Sequence, residues 1–119
     1  MKLAFLFLLA MPTCSGPDIS LPKCPPLSSP WKGFEKASGF DVETCAMDNT
    51  FAKHGAYVAY FKGTKQKAME GGYKEDVRIG RWDSWKRTGA YDVMVCYDDK
   101  GAEVWRDTDE ARGKARSCP

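Results

Sequence analysis

The sequence is poor in the residues on which most catalytic and metal sites depend. His54 is the only histidine among 119 residues, and no two cysteines have the Cys-x-x-Cys spacing of a zinc site. A Ser–His–Asp or Cys–His mechanism would have to use His54, whose neighbours Lys53 and Gly55 form no nucleophile elbow. We therefore predict no catalytic residue, no cofactor and no metal, and a protein that is not an enzyme.

The sequence also lacks an excess of one charge, a long apolar run and a glycosylation site. Its 18 basic and 16 acidic residues are interspersed, with a net charge of +2, so we expect no nucleic-acid partner. The longest apolar run, residues 3–11, would rise only ~14 Å as a helix, against roughly 30 Å of bilayer core, so no transmembrane segment is predicted. The single asparagine, Asn49, has Phe51 where an acceptor needs Ser or Thr, which favours a bacterial source.

What the sequence does carry at its start is a short leader. A cationic start precedes the apolar run, and the small residues Thr13 and Ser15 fit a cleavage after Ser15. Residues 1–15 are therefore predicted to be a signal peptide, and the protein to be exported to the periplasm or the extracellular space. Lipid attachment at Cys14 is the alternative, although the residues before it differ from the Leu-Ala-Gly-like run of bacterial lipoprotein signals.

Beyond the leader the chain has an even set of cysteines, at Cys24, Cys45, Cys96 and Cys118. Such a set in a small exported chain is typical of two disulfides. Spacing allows three pairings, and we favour Cys24–Cys45 with Cys96–Cys118 because strands close in sequence tend to lie side by side. The chain-entropy model credits a loop of either length with about 3 kcal/mol.

The domain organisation follows from proline, glycine and the apolar pattern. Residues 16–30 contain five prolines and are predicted to be an extended lead-in, and residues 31–119 a single disulfide-bonded β domain. Strands are predicted over residues 40–47, 56–61, 91–97 and 102–107, with a hairpin turn at 98–101. One or two helical turns are predicted over 65–70, broken by Gly71 and Gly72, and a last polar strand or extended tail over 111–118. The fold class is therefore mainly β, a small antiparallel meander or sandwich.

An aromatic and basic segment is the main candidate for binding. Trp82 and Trp85 are flanked by basic residues, at Arg78, Arg81, Lys86 and Arg87. Indole faces stack on sugars and arginine binds acidic groups, so the segment could bind a glycan or an envelope protein. In a strand, residues 82 and 85 point to opposite faces. We therefore assign Trp82 to the core, and Trp85, Arg81 and Arg87 to binding.

The order of short motifs resembles a known family. The motifs are Cys24-Pro25, the apolar run ending at Gly63, Arg81-Trp82-Asp83, Val95-Cys96-Tyr97 and Ser117-Cys118. This order is similar to that of a family of small exported bacterial proteins without an assigned activity. The chain departs from the family in two ways, because Tyr97 follows Cys96 directly and Cys45 is an additional cysteine. The resemblance implies an exported protein and supplies no catalytic residues, because the family has no assigned activity.

A weaker likeness is to periplasmic lysozyme inhibitors, which are small disulfide-bonded β proteins with a Tyr/Cys-rich hairpin. The hairpin over residues 91–107 is similar in outline, and Asp98, Asp99 and Lys100 stand at its tip. Such inhibitors insert polar loop residues into an enzyme cleft. A further alternative is a small secreted hydrolase or toxin that uses His54 or an acidic pair, although the acidic clusters at 98–99 and 107–110 fit solvated turns better.

Overall fold

The computed structural model describes residues 23–118, which form one antiparallel sheet and a short helix. The strands are β1 (Ser28–Glu35), β2 (Phe40–Met47), β3 (Lys53–Phe61), β4 (Lys67–Lys74), β5 (Val77–Trp85), β6 (Tyr91–Tyr97) and β7 (Glu103–Asp107), and the helix is α1 (Glu110–Ala115). Neighbouring strands in the chain are neighbours in the sheet, so the fold is a seven-stranded meander and not a sandwich. The predicted signal peptide, its cleavage after Ser15 and lipid attachment at Cys14 fall outside the described residues.

Two strands have the predicted bounds, and three segments differ from the prediction. β2 and β6 match residues 40–47 and 91–97, both of which are rich in strand-forming residues. The helical turns predicted over 65–70 are wrong, because β4 runs through this segment and through Gly71 and Gly72. The predicted polar tail contains α1 instead. β1 begins at Ser28, inside the lead-in, and its Pro30 is accommodated because β1 is an edge strand.

The structural reasons for the two wrong segments are local. At Gly71 the Trp82 ring lies where a side chain would be, so glycine here makes room for a core residue and does not break the strand. At α1, the Asp109 carboxylate accepts a hydrogen bond from the Arg112 backbone N–H at 2.9 Å, which is an N-cap. Tertiary packing and a cap therefore outweigh the local propensities used for the prediction.

The core lies on one side of the sheet, here called the core face. Its buried members are Val42, Tyr57, Ala59, Phe61, Ala68 and Trp82. Tyr57, Tyr73 and Trp82 form the centre, with ring centroids 5.1–5.4 Å apart. Trp82 is only 3% exposed, as predicted for a core residue, and its Nε1 donates to the Gly72 carbonyl at 3.1 Å.

A single sheet buries this core because it coils. β1 and β3 run in the same direction, so Glu35 at the end of β1 and Lys53 at the start of β3 belong to opposite ends of the strands. Lys53 Nζ nevertheless lies 2.9 Å from Glu35 Oε2. The β1–β2 hairpin must therefore curve over the core face. Register shifts, which increase twist, occur in the other five strand pairs.

A polar cluster lies under this curved hairpin. Tyr57 Oη donates to Glu35 Oε1 at 2.9 Å. Burial is the main cause that raises the pKa of Tyr57, and this hydrogen bond adds to it. Burial opposes the charge on Glu35, but hydrogen bonds from Ser38, Lys53 and Tyr57 outweigh it and hold the pKa of Glu35 below its ordinary value. The cluster stabilises the closed hairpin and is a structural feature of the core.

Both predicted disulfides are confirmed, and the second of them fixes the C-terminal segment. Cys24 is bonded to Cys45, and Cys96 to Cys118. α1 is also held by Arg112, which donates two hydrogen bonds to the buried Asp107 carboxylate at 2.6 and 2.7 Å. These bonds hold the pKa of Asp107 at about 2. Within residues 23–118, none of the helices is long and apolar enough to span a bilayer.

Candidate functional site

Within residues 23–118, the side of the sheet opposite the core face is only partly covered. This side, here called the groove face, carries residues that alternate with the core residues, including Tyr60, Met94 and Cys96. α1 covers it at β6, where a Cβ on Gly113 would lie 3.0 Å from Met94 Sδ. Over β1–β4 the same face holds an open groove of about 660 Å³.

The groove combines aromatic rings with charged side chains. Its strand residues include Lys32, Phe34, Asp41, Glu43, Tyr60 and Lys67, and the β3–β4 turn adds Thr64 and Lys65. Phe34 is 47% exposed although it lies in a strand, so its ring is presented to solvent and is not part of the core. Lys62 Nζ stands 4.8 Å from the centroid of that ring, in a cation–π contact.

Hydrogen bonds and ion pairs hold the groove's polar groups in place. Asp41 accepts a hydrogen bond from the Gly63 backbone N–H at 2.9 Å, which ties β2 to the β3–β4 turn. Lys67 Nζ lies 2.5 Å from Glu70 Oε1, and this bond raises the pKa of Lys67. Lys32 Nζ lies 3.8 Å from Glu43 Oε2. The wall of the groove therefore offers both ammonium and carboxylate groups beside exposed aromatic carbon.

Trp85 lies beside the groove on the same face of the sheet. Its ring packs edge-on against Tyr91, with centroids 5.9 Å apart, and Lys67 Nζ stands 5.9 Å from its centroid. Tyr91 Oη donates to Asp83 at 2.6 Å, which fixes the ring against which Trp85 packs. Trp85, predicted from the sequence to be a binding residue, therefore extends the aromatic lining of the groove by one strand.

The other two residues of the predicted aromatic and basic patch lie elsewhere. The Arg87 guanidinium, at the β5–β6 turn, stands 4.7 Å from the centroid of the Phe61 ring, which belongs to the core face. Arg81 donates to the backbone carbonyl of Arg116 at 2.7 Å and therefore holds the C-terminal tail. The structure therefore brings Trp85 to the side of the groove, places Arg87 over a ring of the core face and gives Arg81 a structural bond.

The predicted hairpin-tip residues lie in the β6–β7 turn, at the other end of the strands from the β3–β4 and β5–β6 turns. Asp98 accepts the backbone N–H groups of Ala102 and Lys100, each at 2.9 Å, and these bonds lower its pKa. Asp99 and Lys100 are exposed at the tip. The residues that the sequence grouped as one set of binding candidates therefore form two separate surfaces.

No family model matches the chain, and neither does a curated protein or a solved structure. The resemblance to small exported bacterial proteins therefore stays a prediction. His54, the only candidate for histidine catalysis, accepts a hydrogen bond at Nδ1 from the Glu75 backbone N–H at 3.2 Å and so links β3 to the β4–β5 turn. Residues 23–118 contain no group of three or more His, Cys, Asp or Glu side chains placed to hold a metal ion.

Sequence reasoning missed most of the groove. Phe34, Tyr60 and Lys67 come from three different strands and have no motif in common. Strand alternation was the available signal, since Tyr60 alternates with the core residues Ala59 and Phe61. Alternation shows that a side chain leaves the core face, but the concavity depends on how the whole sheet coils.

Proposed function

We propose that the protein is an exported binding protein that holds a glycan in the groove of its groove face. The observation that carries this proposal is the open groove of about 660 Å³, in which the exposed Phe34 ring and the half-buried Tyr60 ring stand among charged side chains. Sugars present apolar C–H faces that pack on aromatic rings, and hydroxyls that bond to ammonium and carboxylate groups. Phe34, Tyr60 and Trp85 supply the rings, and Lys32 and Asp41 stand among the polar groups.

Export is supported by the two disulfides and by the leader. Disulfides persist in oxidising compartments and are rare in the cytosol. The apolar leader at residues 1–15 fits a signal peptide. Both observations agree with a protein that meets its ligand outside the cytoplasm.

Affinity electrophoresis of the oxidised protein through gels that contain polysaccharides tests the proposal. We expect retardation in at least one of a panel of neutral and acidic polysaccharides. Phe34→Ala should weaken it at least fivefold, because truncating a central aromatic contact costs about 1 kcal/mol or more. Val104→Ala is the matched control, since Val104 is 50% exposed on β7, away from the groove.

Two results would contradict the proposal. One is free migration of the wild-type protein through every gel of the panel. The other is retardation that Phe34→Ala and Tyr60→Ala leave unchanged, because the bound polymer would then lie outside the groove. Circular dichroism of each variant confirms that the sheet is intact.

Inhibition of a lysozyme is a second candidate, favoured by the form of the β6–β7 tip. The Asp98 carboxylate accepts two backbone N–H groups of its own turn and so stiffens the loop that displays Asp99 and Lys100. A loop held in one conformation loses little entropy when it enters a cleft. A hollow of about 430 Å³ lies beside it, lined by Ile79, Gly80, Asp98 and Asp99.

We expect this candidate, where it holds, to show as inhibition of a c-, g- or i-type lysozyme by micromolar protein. An Asp99→Ala/Lys100→Ala variant should lose at least tenfold in inhibition, while Phe34→Ala keeps it. Full activity of all three enzymes in the presence of the protein would end the idea. Loss of inhibition in Phe34→Ala alone would move the contact to the groove.

A further inference from the structure

Charges that are interspersed in the sequence are segregated in space. In an antiparallel meander, successive turns alternate between the two ends of the strands. Turns 36–39, 62–66 and 86–90 are at the same end, here called the basic end. Their charged residues are five exposed cations, at Lys36, Lys62, Lys65, Lys86 and Arg87, and these three turns contain no acidic residue.

The turns at the other end of the strands have the opposite charge. Turns 48–52, 75–76 and 98–102, here called the acidic end, carry Asp48, Glu75, Asp76, Asp98 and Asp99, with Lys100 as their single cation. Asp76, in the second of these turns, is bonded to the first residue of β3, because its carboxylate accepts the Lys53 backbone N–H at 2.8 Å. The turns at the two ends of the strands therefore differ in charge, although the net charge of the protein is only +2.

Contacts at the basic end link its second and third turns to neighbouring strands. Gly63 in the second turn donates to Asp41 of β2, and Lys62 stands over Phe34 of β1. Arg87 of the third turn stands over Phe61, which precedes the second turn. The only other connection at this end holds Asp109, whose carboxylate caps α1.

The groove opens onto the basic end. Thr64 and Lys65, which line the groove, belong to the second turn of the basic end. A polymer that lies along the groove therefore passes over lysines where it leaves the sheet at the basic end. At the acidic end it would meet carboxylates.

We propose that the glycan is an acidic polysaccharide, whose carboxylate groups lie on the basic end while its sugar rings lie in the groove; this proposal rests on the proposed function. The ammonium groups neutralise successive carboxylates and release their counterions, so binding weakens as salt rises. The acidic end repels the same polymer, which fixes the end at which it leaves. A neutral polysaccharide would use only the groove.

Polygalacturonate and its methyl ester separate the two proposals, because they share a backbone and differ in charge. By isothermal titration in 50 mM NaCl we expect polygalacturonate to bind at least tenfold more tightly than the ester. A Lys36→Gln/Lys86→Gln/Arg87→Gln variant, whose three residues do not line the groove, should lose about tenfold for polygalacturonate and little for the ester. Its dependence on salt should also be shallower.

The matched control neutralises three acids at the other end, as Glu75→Gln/Asp76→Asn/Asp99→Asn. We expect this variant to bind polygalacturonate at least as tightly as the wild type. Equal affinity for the two polymers, reduced in both by Phe34→Ala, would overturn the acidic ligand and leave the proposed function in place. Binding of neither, in a protein that a neutral polysaccharide retards, would do the same, and so would charge-dependent binding to anionic lipid vesicles without binding to polygalacturonate. Failure to bind any polysaccharide would overturn both proposals.

Discussion

Replacing Gly71 by alanine should destabilise the protein by about 2 to 3 kcal/mol, the cost of overpacking a filled core. A Cβ at this position would stand 2.5 Å from Cγ of Trp82 and would overlap the ring. Trp82 cannot move away freely, because Tyr57 and Tyr73 pack against it and its Nε1 is bonded to the Gly72 carbonyl. The change should appear as a fall in the thermal midpoint of about 10 to 20 °C.

Gly72→Ala is the matched control, since it adds the same methyl group one residue along the same strand. The nearest heavy atoms to a Cβ at Gly72 are the Gly55 and Ile79 carbonyl oxygens, at 3.8 and 4.0 Å, so there is room. We expect this variant to be neutral or more stable by up to about 1 kcal/mol, because alanine restricts the unfolded chain. Urea unfolding of both variants measures the difference, and equal stabilities would show that Trp82 yields.

The same two glycines show where reading the sequence reaches its limit. Their adjacency predicted an end to the helical turns after residue 70, because glycine disfavours helices when only local propensity is considered. In the structure they lie inside β4, and Gly71 is required by a tryptophan that is distant in sequence. The disulfide pairs followed from the tendency of strands close in sequence to lie side by side. The fold class and the strands β2 and β6 followed from strand-forming residues and turn signals, which are local.

The candidate site was less accessible to prediction, because it depends on distances between segments. Trp85 was identified from its composition and sits beside the groove, but Phe34 and Tyr60 join it only through the coiling of the sheet. The charge pattern has the same origin. Lys65 and Asp76 are eleven positions apart in the sequence and at opposite ends of the strands, since one meander strand separates their turns.

Asp107 shows the same limit for a single residue. Its acidic neighbourhood at 107–110 fitted a solvated turn, but its side chain is buried and bonded twice by Arg112. The bond exists because α1 turns back onto the end of β7, which places residue 112 beside residue 107. A carboxylate of low pKa is therefore part of the docking of the C-terminal segment and not of the exposed surface.

Removing the disulfide that holds this segment should both destabilise the protein and release α1. A Cys96→Ala/Cys118→Ala variant loses a link across 22 positions, for which the chain-entropy model gives about 3 kcal/mol. α1 has only six residues, too few for a helix that is stable without partners. We expect amide exchange in residues 110–118 to become fast, while the amides of β2–β5 remain protected.

Cys24→Ala/Cys45→Ala provides the control, because its loop spans 21 positions and Cys45, like Cys96, is almost completely buried. The loss of stability should be similar, about 3 kcal/mol, while α1 keeps its slow exchange. Slow exchange in the Cys96→Ala/Cys118→Ala variant would mean that the Arg81–Arg116 and Trp105–Ser117 bonds are sufficient to hold the tail. Fast exchange in the Cys96→Ala/Cys118→Ala variant alone would mean that this disulfide holds α1 over β6. The disulfide would then keep the groove face covered at β6, and the groove over β1–β4 would be the open part of that face.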